Sequence, residues 1–216
     1  MRLSLKETND QKIYFVSDLH LGHDKEFIWK ARGYNSSLEH TNGVIDKINQ
    51  VVNHNDILFC LGDFCLKTPV PKFEEYISRI QCQNIYMLWG NHYNPHYKQI
   101  YKPLVKSILG DNYQYDSEIY PLKYRNITYI GDYAEIVING TFIILCHYPI
   151  SVWNDMHHSA WMLCGHSHYS FEGSKASNTL QKILDVGWDG HYAPWSYSEL
   201  ASVMATKNVQ AYDHHK

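Results

Sequence analysis

The chain of 216 residues has no run of 18 or more apolar residues, so no membrane-spanning helix is expected. Its start, MRLSLKETND, lacks the apolar stretch of a secretion signal, and a soluble, cytoplasmic protein is the expectation that follows. Cysteine is sparse: Cys60, Cys65, Cys82, Cys146 and Cys164 form an odd set without a CxxC spacing, which argues against a disulfide framework and for reduced thiols in a core. Positive charge is not in excess either. Lys+Arg 19 against Asp+Glu 22 leaves a net charge of -3, which argues against a protein that holds nucleic acid mainly by neutralising phosphates. An anionic substrate must find its positive charge elsewhere. Internal repeats, low-complexity linkers and blocks of like charge are missing, so nothing marks a domain boundary and a single domain over residues 1–216 is expected. With 44% hydrophobic, 19% charged and 14% aromatic residues, the composition suits one packed core of enzyme size.

Several segments have clear periodicity. Residues 13–16 are an apolar run of strand formers that stops at Ser17-Asp18-Leu19-His20-Leu21-Gly22-His23. From Thr41 onward, Val44, Ile45, Ile48, Val51 and Val52 recur at helical spacing, with Thr41 or Asn42 as the expected cap. Residues 57–61 repeat the first pattern and end at Gly62-Asp63; Pro69 and Pro71 suit the start of a helix carrying Phe73, Tyr76, Ile77 and Ile80. A third run, 84–89, ends at Gly90-Asn91-His92. This alternation predicts an α/β layer. A helix interrupted at Pro103 is expected over 97–109, and strands over 113–122, 134–138 and 141–146, the last two joined by the hairpin signal Asn139-Gly140. Runs at 161–164 and 180–186 extend this second sheet, and Ser196 with Glu199 resembles a capping box. The expected fold is therefore α/β, two packed mixed β-sheets flanked by helices.

The residues at the ends of these strands are Asp18, His20, Asp63, Asn91, His92, His147, His166 and His168, all oxygen or nitrogen donors. Asp18 and His20 are two apart, as are His166 and His168, so in an extended segment both members of each pair face one side and can clasp an ion. In parallel sheets the carboxyl ends of strands are where a ligand crevice forms.

The blocks Asp18-Leu-His20, Gly62-Asp63, Gly90-Asn91-His92, His147 and Gly165-His166-Ser-His168 resemble, in order, the scattered motifs of the calcineurin-like metallophosphoesterase family. The segments Ser17 through His23 and Trp153-Asn154 further resemble its small phage-type and bacterial branch. The resemblance implies a four-layer α/β/β/α sandwich, a single metallophosphoesterase domain, and two divalent metal ions bridged by Asp63. It implies that one ion is also held by Asp18, His20 and His168 and the other by Asn91, His147 and His166. It further implies that a hydroxide bridging the ions attacks phosphorus in line while His92 acts as general acid, with Asp63 and His92 as catalytic residues and His23, Asn91 and His92 facing the substrate. Mixed nitrogen and oxygen ligands suit Mn first, with Fe, Zn, Ni or Co also compatible and an all-Mg centre less favoured.

Alternatives remain open from the residues themselves. Asp18, Asp63 and Asn91 are also turn formers, His92 could position and not protonate, and His23 could orient a ligand instead of touching substrate. Tyr93 stands where many relatives carry an aspartate supporting the histidine; Asp24 is an alternative support. Tyr93, His96, Tyr97, His157, His158, Trp188 and Tyr192 are candidates to line a pocket for an organic group, whereas Asp185 through Asp189 is expected to organise turns. The expected function is phosphodiester hydrolysis, the alternatives a phosphomonoesterase for nucleotide, sugar or protein phosphates, or an inactive metal-bound module that binds nucleic acid or protein. The expected partner is a phosphoester substrate such as a nucleotide or nucleic-acid end, with no membrane and no obligate protein partner.

Overall fold

The computed structural model describes residues 2–92, 96–114, 117–172 and 181–209. The readings placed on Tyr93 and Leu180 lie outside the described residues. In chain order the elements are β1 (Arg2–Leu5), β2 (Ile13–Val16), α1 (Glu26–Ala31), α2 (Ser37–Val51), β3 (Ile57–Cys60), α3 (Val70–Arg79) and β4 (Asn84–Met87). A π-helical stretch, Tyr97–Tyr101, runs directly into α4 (Lys102–Leu109). Then follow β5 (Leu122–Tyr124), β6 (Ile127–Tyr129), β7 (Tyr133–Ile138), β8 (Thr141–Cys146), β9 (Trp161–Cys164), β10 (Ile183–Asp185), α5 (Trp188–His191), β11 (Trp195–Ser196) and α6 (Tyr197–Ala205).

The strands form two mixed sheets, ordered β11-β2-β3-β4-β6-β5 and β1-β7-β8-β9-β10. In the first, β2, β3, β4 and β6 are parallel; in the second, β8, β9 and β10 are parallel to one another. Side chains alternate across each strand, which decides what each sheet face meets. Ile13 and Phe15 of β2 and Ile57 and Phe59 of β3 join Ile143 and Leu145 of β8 and Trp161 and Leu163 of β9 in the core between the sheets. Their alternate neighbours Val16, Leu58 and Cys60 pack outward against Val44, Ile45 and Ile48 of α2 and Phe73 and Ile77 of α3. On the far face of the second sheet, Ile144 and Met162 pack with Trp153, Met156 and Ala160. The two mixed sheets flanked by helices are the architecture expected from the sequence. Among the described residues no helix is long and apolar enough to cross a membrane.

Some local expectations change. Helix α2 begins at Ser37, not at Thr41, because Ser36 is the cap: its hydroxyl accepts from the Glu39 amide at 3.1 Å. Thr41 is inside the helix and donates to the Ser37 carbonyl at 2.8 Å. The helix expected over 97–109 changes type beside Pro103: the π-helical stretch Tyr97–Tyr101 gives way to α4, whose first turn holds the proline. In place of the strand expected over 113–122, the described residues 113, 114 and 117–121 are irregular chain, in which the backbone of Ile119 is satisfied by a side chain. Tyr101 Oη donates to the Ile119 carbonyl and accepts from its amide, both at 2.9 Å. The strands there are instead β5 and β6, joined through Arg125 at φ 55. Edge strands β1 and β11 had no sequence signal. The Asn139-Gly140 hairpin, with φ 49 and 88, and the Ser196/Glu199 capping box match the reading from sequence.

Candidate metal centre

Six loops meet where strands β2, β3, β4, β8, β9 and β10 end. Backbone hydrogen bonds continue the ladders past the strands: the amides of Asp18, His20 and Leu21 donate to the carbonyls of Gly62, Asp63 and Phe64 at 3.2, 3.0 and 2.9 Å. The Gly165 amide donates to the His147 carbonyl at 2.9 Å, and Trp188 to Ser17 at 2.9 Å. The loops are thus laced together before any side chain acts.

Their side chains turn inward by a route different from the extended pairing expected above. Asp18, His20, Asp63, His166 and His168 all have left-handed backbone, with φ of 58, 51, 49, 70 and 50. Aspartate and histidine enter this region more readily than most residues, at a cost of roughly 1–3 kcal/mol each. Such strain persists only where the surroundings dictate it, and here tight kinks, not strand alternation, aim each pair at a common centre. Glycine allows the close approach of the loops. A Cβ on Gly90 would lie 2.1 Å from Asp63 Oδ1, and one on Gly165 would lie 2.0 Å from Ser17 Oγ.

All seven residues expected to hold metal come together. Asp63 Oδ2 is 4.0 Å from His20 Nε2, 3.5 Å from His147 Nε2 and 3.7 Å from His92 Nε2. On one side of it, His20 Nε2 lies 3.9 Å from Asp18 Oδ1 and 3.2 Å from His168 Nε2. On the other, Asn91 Oδ1 lies 3.0 Å from both His147 Nε2 and His166 Nδ1. Donors held about 2.0–2.2 Å from one ion stand roughly 3–3.6 Å apart, so these separations suit metal binding with little adjustment. The groups Asp18/His20/His168 and Asp18/Asp63/His147 each fit around a single point.

The proton inventory points the same way. The Leu61 carbonyl can only accept, so His147 Nδ1 donates to it at 2.9 Å, leaving an Nε2 lone pair toward Asn91 Oδ1 and Asp63 Oδ2. His168 Nδ1 likewise donates to Asp189 Oδ2 at 2.7 Å, turning its Nε2 toward His20. Asp18 is fully buried and its Oδ1 has no hydrogen-bond partner. Burial pushes its carboxyl up to about 7, only partly offset by His168. Burial, joined by His168 and Arg32, pushes His20 far down, so its ring is neutral and able to coordinate. A buried carboxylate oxygen without a partner, such as Asp18 Oδ1, is costly unless a cation lies beside it. The residues fit divalent ions.

The other candidates fall into place unevenly. The His92 amide donates to Asp63 Oδ1 at 3.0 Å, and its half-exposed ring stands at the rim. His23 is buried; its Nδ1 accepts from the Lys25 amide at 3.0 Å, and its ring meets His20 edge-on at 5.6 Å. Asp24 is at the surface beside Lys25, so the carboxylate that His92 faces is Asp63. Trp188 is buried; His96, buried against Cys65 and Phe73, lines with Asp63 and His92 a cavity of ≈ 10 Å³, room for about one water and not for an organic group. His157 and His158 form a separate surface cluster with Asp155. Tyr192 is 49% exposed beside His168.

Sequence reasoning missed a brace behind the Asp18 side. Arg32, almost wholly buried, grips Asp189 through Nε and Nη2, each at 2.7 Å, and donates to the carbonyls of Asp18 and Leu19 at 2.7 and 3.0 Å. Burial alone would raise Asp189, but its bonds from His168 and Arg32 outweigh this and hold its carboxyl well below the usual range. Asp185 accepts from the Gly187 and Tyr169 amides at 2.7 and 2.9 Å, organising the turns as expected. Nothing flags Arg32, one arginine after a short helix; the segment ending at Asp189 was visible, its use was not.

A protein of unknown function from Aquifex aeolicus, AQ665, known from its crystal structure, superimposes with a TM-score of 0.60 at 18% identity, over 89% of this chain and 99% of that one. At that identity the likeness concerns the fold. No match was found among curated proteins. The sequence model described as calcineurin-like phosphoesterase matches residues 11–188, which include Asp18, His20, Asp63, Asn91, His147, His166 and His168. The chain belongs to the calcineurin-like phosphoesterase family, whose members are metal-dependent phosphoester hydrolases.

Proposed function

We propose that this protein hydrolyses phosphodiesters at a centre of two divalent ions, with manganese the first candidate. One observation carries the reading: a single carboxylate oxygen, Asp63 Oδ2, lies between two sets of ligands, 4.0 Å from His20 Nε2 and 3.5 Å from His147 Nε2. Asp18, His20, His168 and Asp63 would hold one ion; Asn91, His147, His166 and Asp63 would hold the other. When bound, such a pair supplies a water of lowered pKa and Lewis-acid contacts to phosphoryl oxygens.

The chain's own residues do the rest. Arg32 and Asp189 fix the tautomer and direction of His168, and the Leu61 carbonyl does so for His147. His92 stands over the shared carboxylate, its backbone tied to Asp63 Oδ1 and its Nε2 at the rim, where it can carry a proton to a departing alkoxide. A proton donor at the rim matters most when the leaving group is a poor one. His23 packs against His20, and because its Nδ1 accepts from the Lys25 amide, its proton is on Nε2. Five free thiols, four of them buried, support work in the reducing cytoplasm.

The test is reconstitution with manganese, metal analysis, and a rate comparison between bis-p-nitrophenyl phosphate and p-nitrophenyl phosphate. The diester is expected to turn over faster. Preference for the monoester overturns the diester assignment, and a metal-loaded protein inert to both overturns the enzymatic one.

A further inference from the structure

Beside the cluster, on the His168 side, lies a groove of ≈ 440 Å³ walled by Phe27, Ile28, Ala31, His168, Asp189 and Tyr192. That volume falls within the range of small-molecule sites, roughly 300–1,000 Å³. Helix α1 buries Ile28 and Trp29, so its inner face is already used, yet Phe27 is 69% exposed. Tyr192 closes the other wall at 49% exposure. Two large rings therefore face water next to a proposed metal ligand.

The groove is continuous with the centre. His168 belongs to both, and the His23 ring meets Phe27 edge-on at 5.4 Å and His20 at 5.6 Å. Its polar wall is already committed: both Asp189 oxygens are held by Arg32, and one of them also by His168. What remains for an occupant is aromatic and aliphatic surface, one group's length from where a phosphate would sit. Ring faces of this kind accept a flat π-system, whereas a charged or sugar-like group would find few free partners.

We propose that this groove receives the nucleobase of a nucleotide ester whose phosphate lies at the metal centre, with Phe27 and Tyr192 as the stacking surfaces. The inference rests on the phosphoesterase reading above and names its substrate class. Stacking of one base on an aromatic side chain is worth roughly 5- to 150-fold in affinity.

The test uses two probes that differ only by the base, adenosine 5′-monophosphate and ribose 5-phosphate, titrated calorimetrically into the full manganese-loaded chain. The parent should bind the nucleotide tighter, by a factor within that range. Phe27→Ala and Tyr192→Ala should each shrink the ratio, and the double variant should bring it close to one. Equal binding of both probes by the parent overturns the groove assignment while leaving the phosphoesterase reading intact. Failure of both probes to bind overturns the two together. An unchanged ratio in Phe27→Ala also sinks the proposal. So does a concentration-dependent dimer that Phe27→Ala abolishes in a parent showing no preference, since the patch would then belong to a second copy of the chain.

Discussion

Asp18 and His20 lie buried on one side of Asp63, with His168 partly exposed beside them, whereas on the other side Asn91 and His166 are exposed and only His147 is buried. The covered side is braced in depth: Arg32 holds two backbone carbonyls of its loop and the carboxylate that orients His168. On the open side the Leu61 carbonyl orients His147, and no buried guanidinium stands behind it among the described residues. Side chains already fixed in place lose little entropy when an ion arrives, and Asp18 Oδ1 has no other partner. The covered half is thus suited to a tightly held ion, and the open half to one that exchanges and meets substrate. The two halves are tied by Asp63 and by the His166 amide, which donates to Asp18 Oδ2 at 2.9 Å.

The most damaging change should be the one that removes what the halves share. Losing one electrostatic stabiliser typically costs about 10²–10³-fold in rate, so Asp63→Ala, which removes the proposed shared ligand of the two ions, should exceed that loss and empty both halves on metal analysis. A variant that kept one ion at full occupancy would show that Asp63 belongs to a single half. Next in size comes His92→Ala, expected to keep both ions yet slow a diester with a poor leaving group by roughly 10²–10⁴-fold. Equal rates for the variant and the parent on that ester would remove His92 from the proton path.

A smaller effect addresses the asymmetry itself. Partners that orient a ligand typically contribute about 10- to 100-fold in metal affinity, and Asp189→Asn should weaken the tighter of two ions by that much in a competitive chelator titration. Selective weakening of the looser ion would reverse the assignment of the two halves.

The difference between the halves also explains what the sequence could convey. Asp18-Leu-His20, Gly62-Asp63, Gly90-Asn91-His92 and Gly165-His166-Ser-His168 are local patterns, because each loop must present its ligands within a few residues of a strand end, and they mark both halves equally. The brace is not local. Arg32 reaches Asp189 across 157 positions, and a lone arginine carries no trace of the carboxylate it will meet. The fold divides similarly: runs with a clear period, such as β2, β3, β8 and β9, are legible. Strands β1 and β11 exist because a neighbour offers an edge, and the tract before β5 is shaped by bonds to Tyr101. Even the Asp-x-His spacing was read with the wrong local geometry, since left-handed backbone at both residues depends on the lacing of adjacent loops.

The mildest test concerns that lacing on the covered side. Thr41 Oγ1 accepts from the Gly22 amide at 2.9 Å while donating to the Ser37 carbonyl, and so fastens the end of the His20 loop to α2. Thr41→Val keeps the shape and removes the acceptor, leaving the Gly22 N–H without its bond at a cost of about 1–3 kcal/mol. A urea titration should show the midpoint fall with an unchanged slope, because the surface exposed on unfolding is the same. Metal affinity should change less than for Asp189→Asn, since Arg32 still grips the Asp18 and Leu19 carbonyls. If Thr41→Val instead weakened the tighter ion as much as Asp189→Asn does, rigidity of the covered half would come from the α2 contact and not from the buried guanidinium, and the contrast between the halves would need a different cause.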